Sequence, residues 1–540
     1  MVNRDISDTM TLSQKILERD DIVLIGTGSI SCIRTLYFQA KEIGKVHQFI
    51  PCYINENEYG QGKVEYRIKD SIKKAMNMNG VKGIVIYASC MDVITQIDFD
   101  NIINAINNLG ECIVKVFYRG PLVKRRVDMK KNLENMLKSI PDSKKKIERK
   151  CTYLPPIAAD LNGISSMLQQ WNFTYNFLVT AGGCSGSIIR TDGIEKKYFL
   201  RKSRLNDIEV SLGCEEFLIN GIKEDYLESE KNLCCIMGSG VPKFIGVDYE
   251  EMVENLKSYE IESIYLESDG FKTAPVAIAK ALLKLGKTFL NKKTYVKSNK
   301  INLLGYSDLA IGSISKLDEC IEYIKKSGYT FELWGATLLE NQSIASLNWV
   351  VSTEGLPLAI WMKENFNIPY VTGIPIGIED MNKWKNQINR IVEDNDENIK
   401  KISGNKTNDE NDFNILIIGE PVLSYSIKKY IFYELGFKNI FVGAYTPERN
   451  LRKFYKSYWL KDGLICFDDI NLLKEKILAV NVVIADPLYK EFINKIYKDA
   501  IFISVPYPMI SGKNYIHIDY SILGEKGAKY IKDNILSIRN

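Results

Sequence analysis

The sequence predicts an α/β protein of several three-layer, Rossmann-like domains with parallel sheets, the first of them duplicated. Two observations carry this. Short apolar runs of strand length recur along the chain, each followed by a segment of helical period. In addition, residues 11–130 return about 150 positions later, a register too long for chance periodicity.

The early runs are DIVLIG (21–26), GIVIYAS (83–89), CIVKVFY (112–118), NFLVTAG (176–182) and SIYLES (263–268). A second series follows late in the chain: FNILIIGE (413–420), NIFVGAY (439–445), NVVIADP (481–487) and AIFISVP (500–506). Alternation with helices implies parallel sheets covered on both faces, with ligands at the carboxyl ends of the strands.

The repeat is visible residue by residue. At an offset of 151, Glu58 falls on Glu209, Gly62 on Gly213 and Glu65 on Glu216. Further on, Asp98 pairs with Asp248 and Gly120 with Gly270. The cysteines repeat only in part. Cys32 has a counterpart in Cys184, Cys90 falls on Gly240, and Cys151 has no counterpart near the N-terminus. Two cysteines in each copy make four thiolates, the number an iron–sulfur cluster needs.

Charged runs suggest the boundaries. PDSKKKIERK (141–150), NKKTYVKSNK (291–300) and the polar stretch 393–414 read as solvated linkers. They divide the chain into a first copy (1–145), a second copy (146–295), a further α/β domain (296–395), a charged linker (396–412) and a last α/β domain (413–540).

Bulk properties narrow the function. With 540 residues, 45% hydrophobic content and a formal charge of +4, several buried cores are affordable and no concentrated basic face for nucleic acid is indicated. The N-terminus lacks the apolar core of a secretion signal, and no run reaches the ~18 apolar residues of a membrane span. A cytoplasmic protein is expected, its eleven cysteines reduced or metal-bound. Two histidines, His47 and His517, leave little for a histidine triad or an imidazole-rich zinc site.

Most cysteines in such sheets simply pack, and Cys112, Cys234, Cys235, Cys320 and Cys466 are read that way, as are Cys52 and Cys214. The segment IGTGSI (25–30) mimics a dinucleotide fingerprint but lacks its third glycine and a following acidic residue at a strand end. The basic stretch 118–150 reads as a solvated helix and linker, with a docking face for an acidic partner as the alternative.

The segment 151–187, in which Cys151 precedes a small-residue helix, a strand and a Gly-rich turn ending at Cys184, resembles the opening of nitrogenase component 1 subunits. GSGVPKFIGVDYEEMV (238–253) is similar to that family's third-cysteine segment, with Gly240 in the cysteine's place. Residues 265–285, 301–329, 345–380, 481–497 and 505–535 resemble the family's later segments in order, so the likeness covers 151–540.

The resemblance implies a cluster at the interface of two first domains, here both in one chain, with Cys32, Cys90, Cys151 and Cys184 as ligands of one iron–sulfur cluster of [4Fe–4S] type. It implies an oxidoreductase subunit that relays electrons from an ATP-dependent iron protein to a small-molecule or tetrapyrrole-type substrate. Assembly into a homo- or hetero-oligomer is compatible with it. With so few histidines, proton delivery would fall to carboxylates such as Asp98 or Asp248, or to tyrosines. The alternative is a non-catalytic scaffold for metallocluster assembly, or a small-molecule sensor on the same fold.

Overall fold

The computed structural model describes residues 10–106, 112–118, 128–143, 145–148, 153–181, 183–184, 188, 191–192, 200–290, 298–337, 345–394, 413–444, 464–467, 470–513 and 524–536. The charged linker 396–412, Cys151 and His517 lie outside these. The chain divides into two compact units: residues 1–162 with 175–272, and residues 163–174 with 273–540.

The first unit holds the repeat. Its first sheet contains β1 (Ile22–Gly28), β2 (Phe49–Tyr53), β3 (Gly83–Ala88) and β4 (Ile113–Tyr118), all parallel, in the order β2-β1-β3-β4. β1 and β3 are buried at every position, which is why they read as unbroken apolar runs. The second sheet contains β5 (Thr174–Leu178), β6 (Leu200–Lys202), β7 (Leu233–Met237) and β8 (Ser263–Leu266), in the order β6-β5-β7-β8. Strand for strand, this is the order of the first sheet.

The residues shared by the two copies make local structure. Glu58 closes a capping box with Asn55 at the start of helix Glu56–Gly60, and Glu209 does the same with Asn206 at helix Asp207–Leu212. Gly62 and Gly213 both take positive φ, 67° and 101°, in the turns that follow. Asp98 and Asp248 are the N-caps of helices Phe99–Asn104 and Tyr249–Lys257. The duplication is thus read most clearly where caps and turns fix the backbone.

The charged run at 141–150 is not free in solvent where it is described. The guanidinium of Arg19 donates to the carbonyls of Ile140 (2.7 Å) and Pro141 (2.9 Å), and the Ser143 amide donates to Asp21 (3.0 Å). Ile147 is buried and its amide donates to the Asp20 carbonyl at 2.9 Å. The segment is stitched to the first copy by backbone groups that hydropathy does not register.

The second unit holds two more parallel sheets. One contains β9 (Lys300–Leu304), β10 (Thr330–Leu333), β11 (Leu347–Val350) and β12 (Tyr370–Thr372), in the order β10-β9-β11-β12. The other contains β13 (Ile415–Ile418), β14 (Ile440–Ala444), β15 (Ile465–Cys466), β16 (Val482–Ala485) and β17 (Ile501–Ser504), in the order β15-β14-β13-β16-β17. Helix Ala274–Phe289 packs on helix Leu356–Phe366, where Gly286 leaves room for the Leu358 side chain. Among the described residues no helix is long and apolar enough to cross a membrane.

In all four sheets the first strand is internal and the chain reverses its direction of winding beside it. The four switch points lie between β1 and β3, β5 and β7, β9 and β11, and β13 and β16. Open α/β sheets place ligands in the crevices outside the carboxyl ends of such strand pairs.

Candidate cluster site between the two copies

The cysteines singled out in the first copy flank its switch point. β1 ends at Gly28, Ser29 is the N-cap, and Cys32 is the third residue of helix Ile30–Glu42. β3 ends at Ala88, Ser89 is the N-cap, and Cys90 is the first residue of helix Cys90–Ile94. Gly28 has φ of +123°, and a β-carbon there would lie 2.9 Å from Ser89 Cβ and 3.5 Å from Cys32 Cβ. Only glycine lets the two turns close up, and this brings the Cys32 and Ser89–Cys90 turns side by side.

A buried carboxylate holds the turns in place. Asp92 accepts from Thr27 Oγ1 (2.5 Å), from the Ser89 amide and hydroxyl (2.6 and 2.8 Å) and from the Tyr59 hydroxyl (2.8 Å). Four donors offset the cost of burying the charge. Burial, reinforced by Asp92, pushes the Tyr59 phenol well above its ordinary pKa, so it stays a donor.

The second copy presents the equivalent turns. Cys184 follows β5, and Gly240 is the first residue of helix Gly240–Phe244 after β7. A β-carbon at Gly240 would lie 3.2 Å from Met91 Sδ, 3.4 Å from the Asp269 carbonyl oxygen and 3.5 Å from the Phe271 ring. The place of a fourth repeated cysteine is therefore occupied by the neighbour of Cys90.

The two copies share one interface. The Ser31 amide, next to Cys32, donates to the Gly270 carbonyl at 3.3 Å. The rings of Tyr59, Phe244 and Phe271 lie 5.6–6.1 Å apart, and apolar residues of both copies form one continuous core. Arg34, in the helix that carries Cys32, is fully buried; it pairs with fully buried Asp192 (2.5 Å), donates to the Pro156 carbonyl and stacks over Phe38. The Asn162 amide completes the set on Asp192.

Cys32, Cys90 and Cys184 are half-buried. Cys151, the fourth, lies outside the described residues. Among the described residues no group of three or more His, Cys, Asp and Glu side chains is placed to hold a metal ion. The donor chemistry nonetheless suits an iron–sulfur cluster: soft thiols, two of them on the flanking turns of one switch point, at a shared core. The other thiols differ in kind. Burial pushes Cys52 up to about 12 and Cys214 up to about 11, and raises Cys112, Cys234, Cys235 and Cys320 as well. Such thiols pack rather than react.

Asp98 and Asp248 are exposed, each serving its helix by accepting an amide at 3.0 and 2.9 Å. The carboxyls with perturbed protonation are elsewhere. Asp160 is fully buried, accepts the amides of Leu161 (2.6 Å), Asp269 (2.9 Å) and Gly270 (2.9 Å), and is raised by burial and by its neighbour Asp269. In the second unit, Glu354 follows β11 and Glu420 follows β13, and both are buried. The sequence signals for them, an acid after a strand, are too common to single out; only burial marks them.

Three comparisons bear on this chain. A family model described as Nitrogenase component 1 type Oxidoreductase matches residues 184–520. The nitrogenase iron-molybdenum cofactor biosynthesis protein NifE of Methanosarcina barkeri is 22% identical over 334 residues, covering 54% of this chain and 70% of that protein. A solved structure titled "Nitrogenase Cp1 at pH 6.5" has the same fold, with a TM-score of 0.52 at 13% identity, covering 75% of this chain and 97% of that one. A second, "Nitrogenase Cp1 at pH 5", gives a TM-score of 0.49 at 14% identity over 77% and 96%.

Proposed function

The chain belongs to the nitrogenase component 1 type oxidoreductases, and we propose that its first unit holds an iron–sulfur cluster between two domain copies of a single polypeptide. One observation carries the reading: half-buried Cys32 and Cys90 flank the switch point of the first copy, at a core shared with the copy that bears Cys184. Cys151 completes the proposed ligand set, a [4Fe–4S] type being the expected form. When bound, a cluster of this kind supplies a one-electron store whose potential the protein tunes.

The chain's own residues then have defined tasks. Asp92 and Tyr59 hold the Cys90 turn against β1, and Arg34 anchors the Cys32 helix to the second copy. Rigid turns at a shared core suit soft-ligand presentation. The proposed activity is relay of electrons from an ATP-dependent iron protein to a small-molecule or tetrapyrrole-type substrate, in the cytoplasm.

A second reading is a non-catalytic scaffold for metallocluster assembly; the relative named as a cofactor biosynthesis protein favours it. Iron and sulfide analysis of anaerobically purified protein tests the common core. About four irons per chain fit one internal [4Fe–4S] cluster. Cys32→Ala, Cys90→Ala, Cys151→Ala and Cys184→Ala should each lower iron and bleach the visible absorption, while Cys234→Ala and Cys466→Ala leave both unchanged. Protein that reconstitutes without iron overturns the proposal. Substrate reduction with an iron protein supports the relay; transfer of the cluster to an acceptor protein supports the scaffold.

A further inference from the structure

In the second unit, two buried carboxyls meet where the β9–β12 domain touches the β13–β17 domain. Glu420 lies in the turn after β13 and reaches across: its Oε1 accepts the Thr353 amide (2.9 Å) and the Thr353 hydroxyl (3.0 Å), while its Oε2 accepts the Leu423 amide (2.8 Å). Glu354 is the next residue after Thr353, is 1% exposed, and neither of its carboxyl oxygens has a hydrogen-bond partner among the described residues. One carboxyl has its donors; the other has none.

Two adjacent buried carboxylates cannot both stay charged without a counter-ion. The groups that act on Glu354 are Glu420 and, close by, its own amide and the hydroxyls of Ser352 and Thr353, which donate instead to the Gly305 carbonyl (2.5 Å) and to Glu420 (3.0 Å). The turn carrying it packs on helix Ala274–Phe289, whose buried face is apolar; Lys280 and Lys287 there are exposed and Lys284 is half-exposed. On helix Leu356–Phe366, Lys363 is half-exposed and Glu364 exposed; on helix Pro421–Tyr433, Lys428 is half-exposed and Lys429 exposed. The donors assign the charge: Glu420, with three of them, holds it, and Glu354 takes the proton.

The geometry points to a proton-dependent latch: neutral Glu354 lets Glu420 clasp Thr353 and close the junction of the two domains, and ionised Glu354 repels Glu420 and loosens it. The latch stands apart from the cluster reading and needs no cofactor. Burial, with Glu420 beside it, raises Glu354 to about 8, which puts the switch at the edge of the physiological range.

The test is hydrogen–deuterium exchange of the full chain from pH 5 to 9, with protection corrected for intrinsic exchange. In peptides covering 350–358 and 418–424, protection should fall by up to about tenfold per pH unit as Glu354 comes to ionise on opening, and level off above about pH 8. Glu354→Gln should abolish the slope, since its side chain is neutral at every pH. Thr353→Val, which deletes one clasping donor, should lower protection by about fivefold and keep the slope. A wild-type slope retained in Glu354→Gln overturns the latch. So does a rise in wild-type protection at pH 9 on adding Mg²⁺ or Mn²⁺, which would make the pair a cation site.

Discussion

Arg34→Ala removes a guanidinium that ties the Cys32 helix to the second copy. In the wild type Arg34 and Asp192 are both fully buried at 2.5 Å, with Pro156 and Asn162 completing the hydrogen bonds. Truncation leaves the Asp192 carboxylate buried with the Asn162 amide, and deleting one partner of a buried pair costs about 3–5 kcal/mol. Loss of the stacking on Phe38, whose ring centre is 4.9 Å from the guanidinium, adds about 1 kcal/mol. With a urea m-value of about 3 kcal/mol/M, the transition of the first unit should move down by about 1.3–2 M. The assay follows from the sequence: all six tryptophans lie outside residues 1–162 and 175–272. Tryptophan emission therefore follows the second unit, and hydrogen exchange at 22–28 and 175–178 follows the first. Arg34→Met with Asp192→Leu, which deletes both charges, should recover more than half the loss. A shift below about 1 kcal/mol for Arg34→Ala would refute the reasoning, because the pair would then not be buried in solution.

At Gly240, alanine should cost about 1–2 kcal/mol through its contact with Met91 Sδ, and Met91→Ala should relieve that cost in a thermal denaturation cycle. Towards an aromatic disulfide reagent under anaerobic, iron-free conditions, Cys32, Cys90 and Cys184 should react fast and buried Cys52, Cys234, Cys235 and Cys320 only on unfolding, as peptide mapping would show. Glu354 makes stability of the second unit depend on pH with a definite sign. Its folded pKa lies above the unfolded one, so its contribution is complete below about pH 4.5 and is lost as pH rises through about 8. Urea melts followed by tryptophan emission should show a fall of up to about 1.4 kcal/mol per pH unit in that window, absent in Glu354→Gln.

Much of the fold was legible in the order of residues. The apolar runs at 21–26, 83–89 and 481–487 became β1, β3 and β16 because strands buried on both faces must be apolar throughout. The repeat was legible because Glu58 and Glu209, or Gly62 and Gly213, act locally: caps and positive-φ turns are dictated within a few residues. The chain also declared its family, through motifs that keep their order from Cys184 to the last domain. Less was legible at the charged run 141–150, where Arg19, Asp20 and Asp21 anchor backbone groups from over a hundred residues away.

The sequence by itself determined that four parallel sheets form, that the first is built twice, and which cysteines follow strands. Tertiary structure alone decided that Met91 fills the space before Gly240, that Arg34 finds Asp192, and that Glu354 and Glu420 share a junction. The division has a physical cause. Strand, cap and turn propensities are set by neighbours in the chain, whereas burial and charge pairing depend on residues brought together only by folding, and no local pattern records which acid will lose its water.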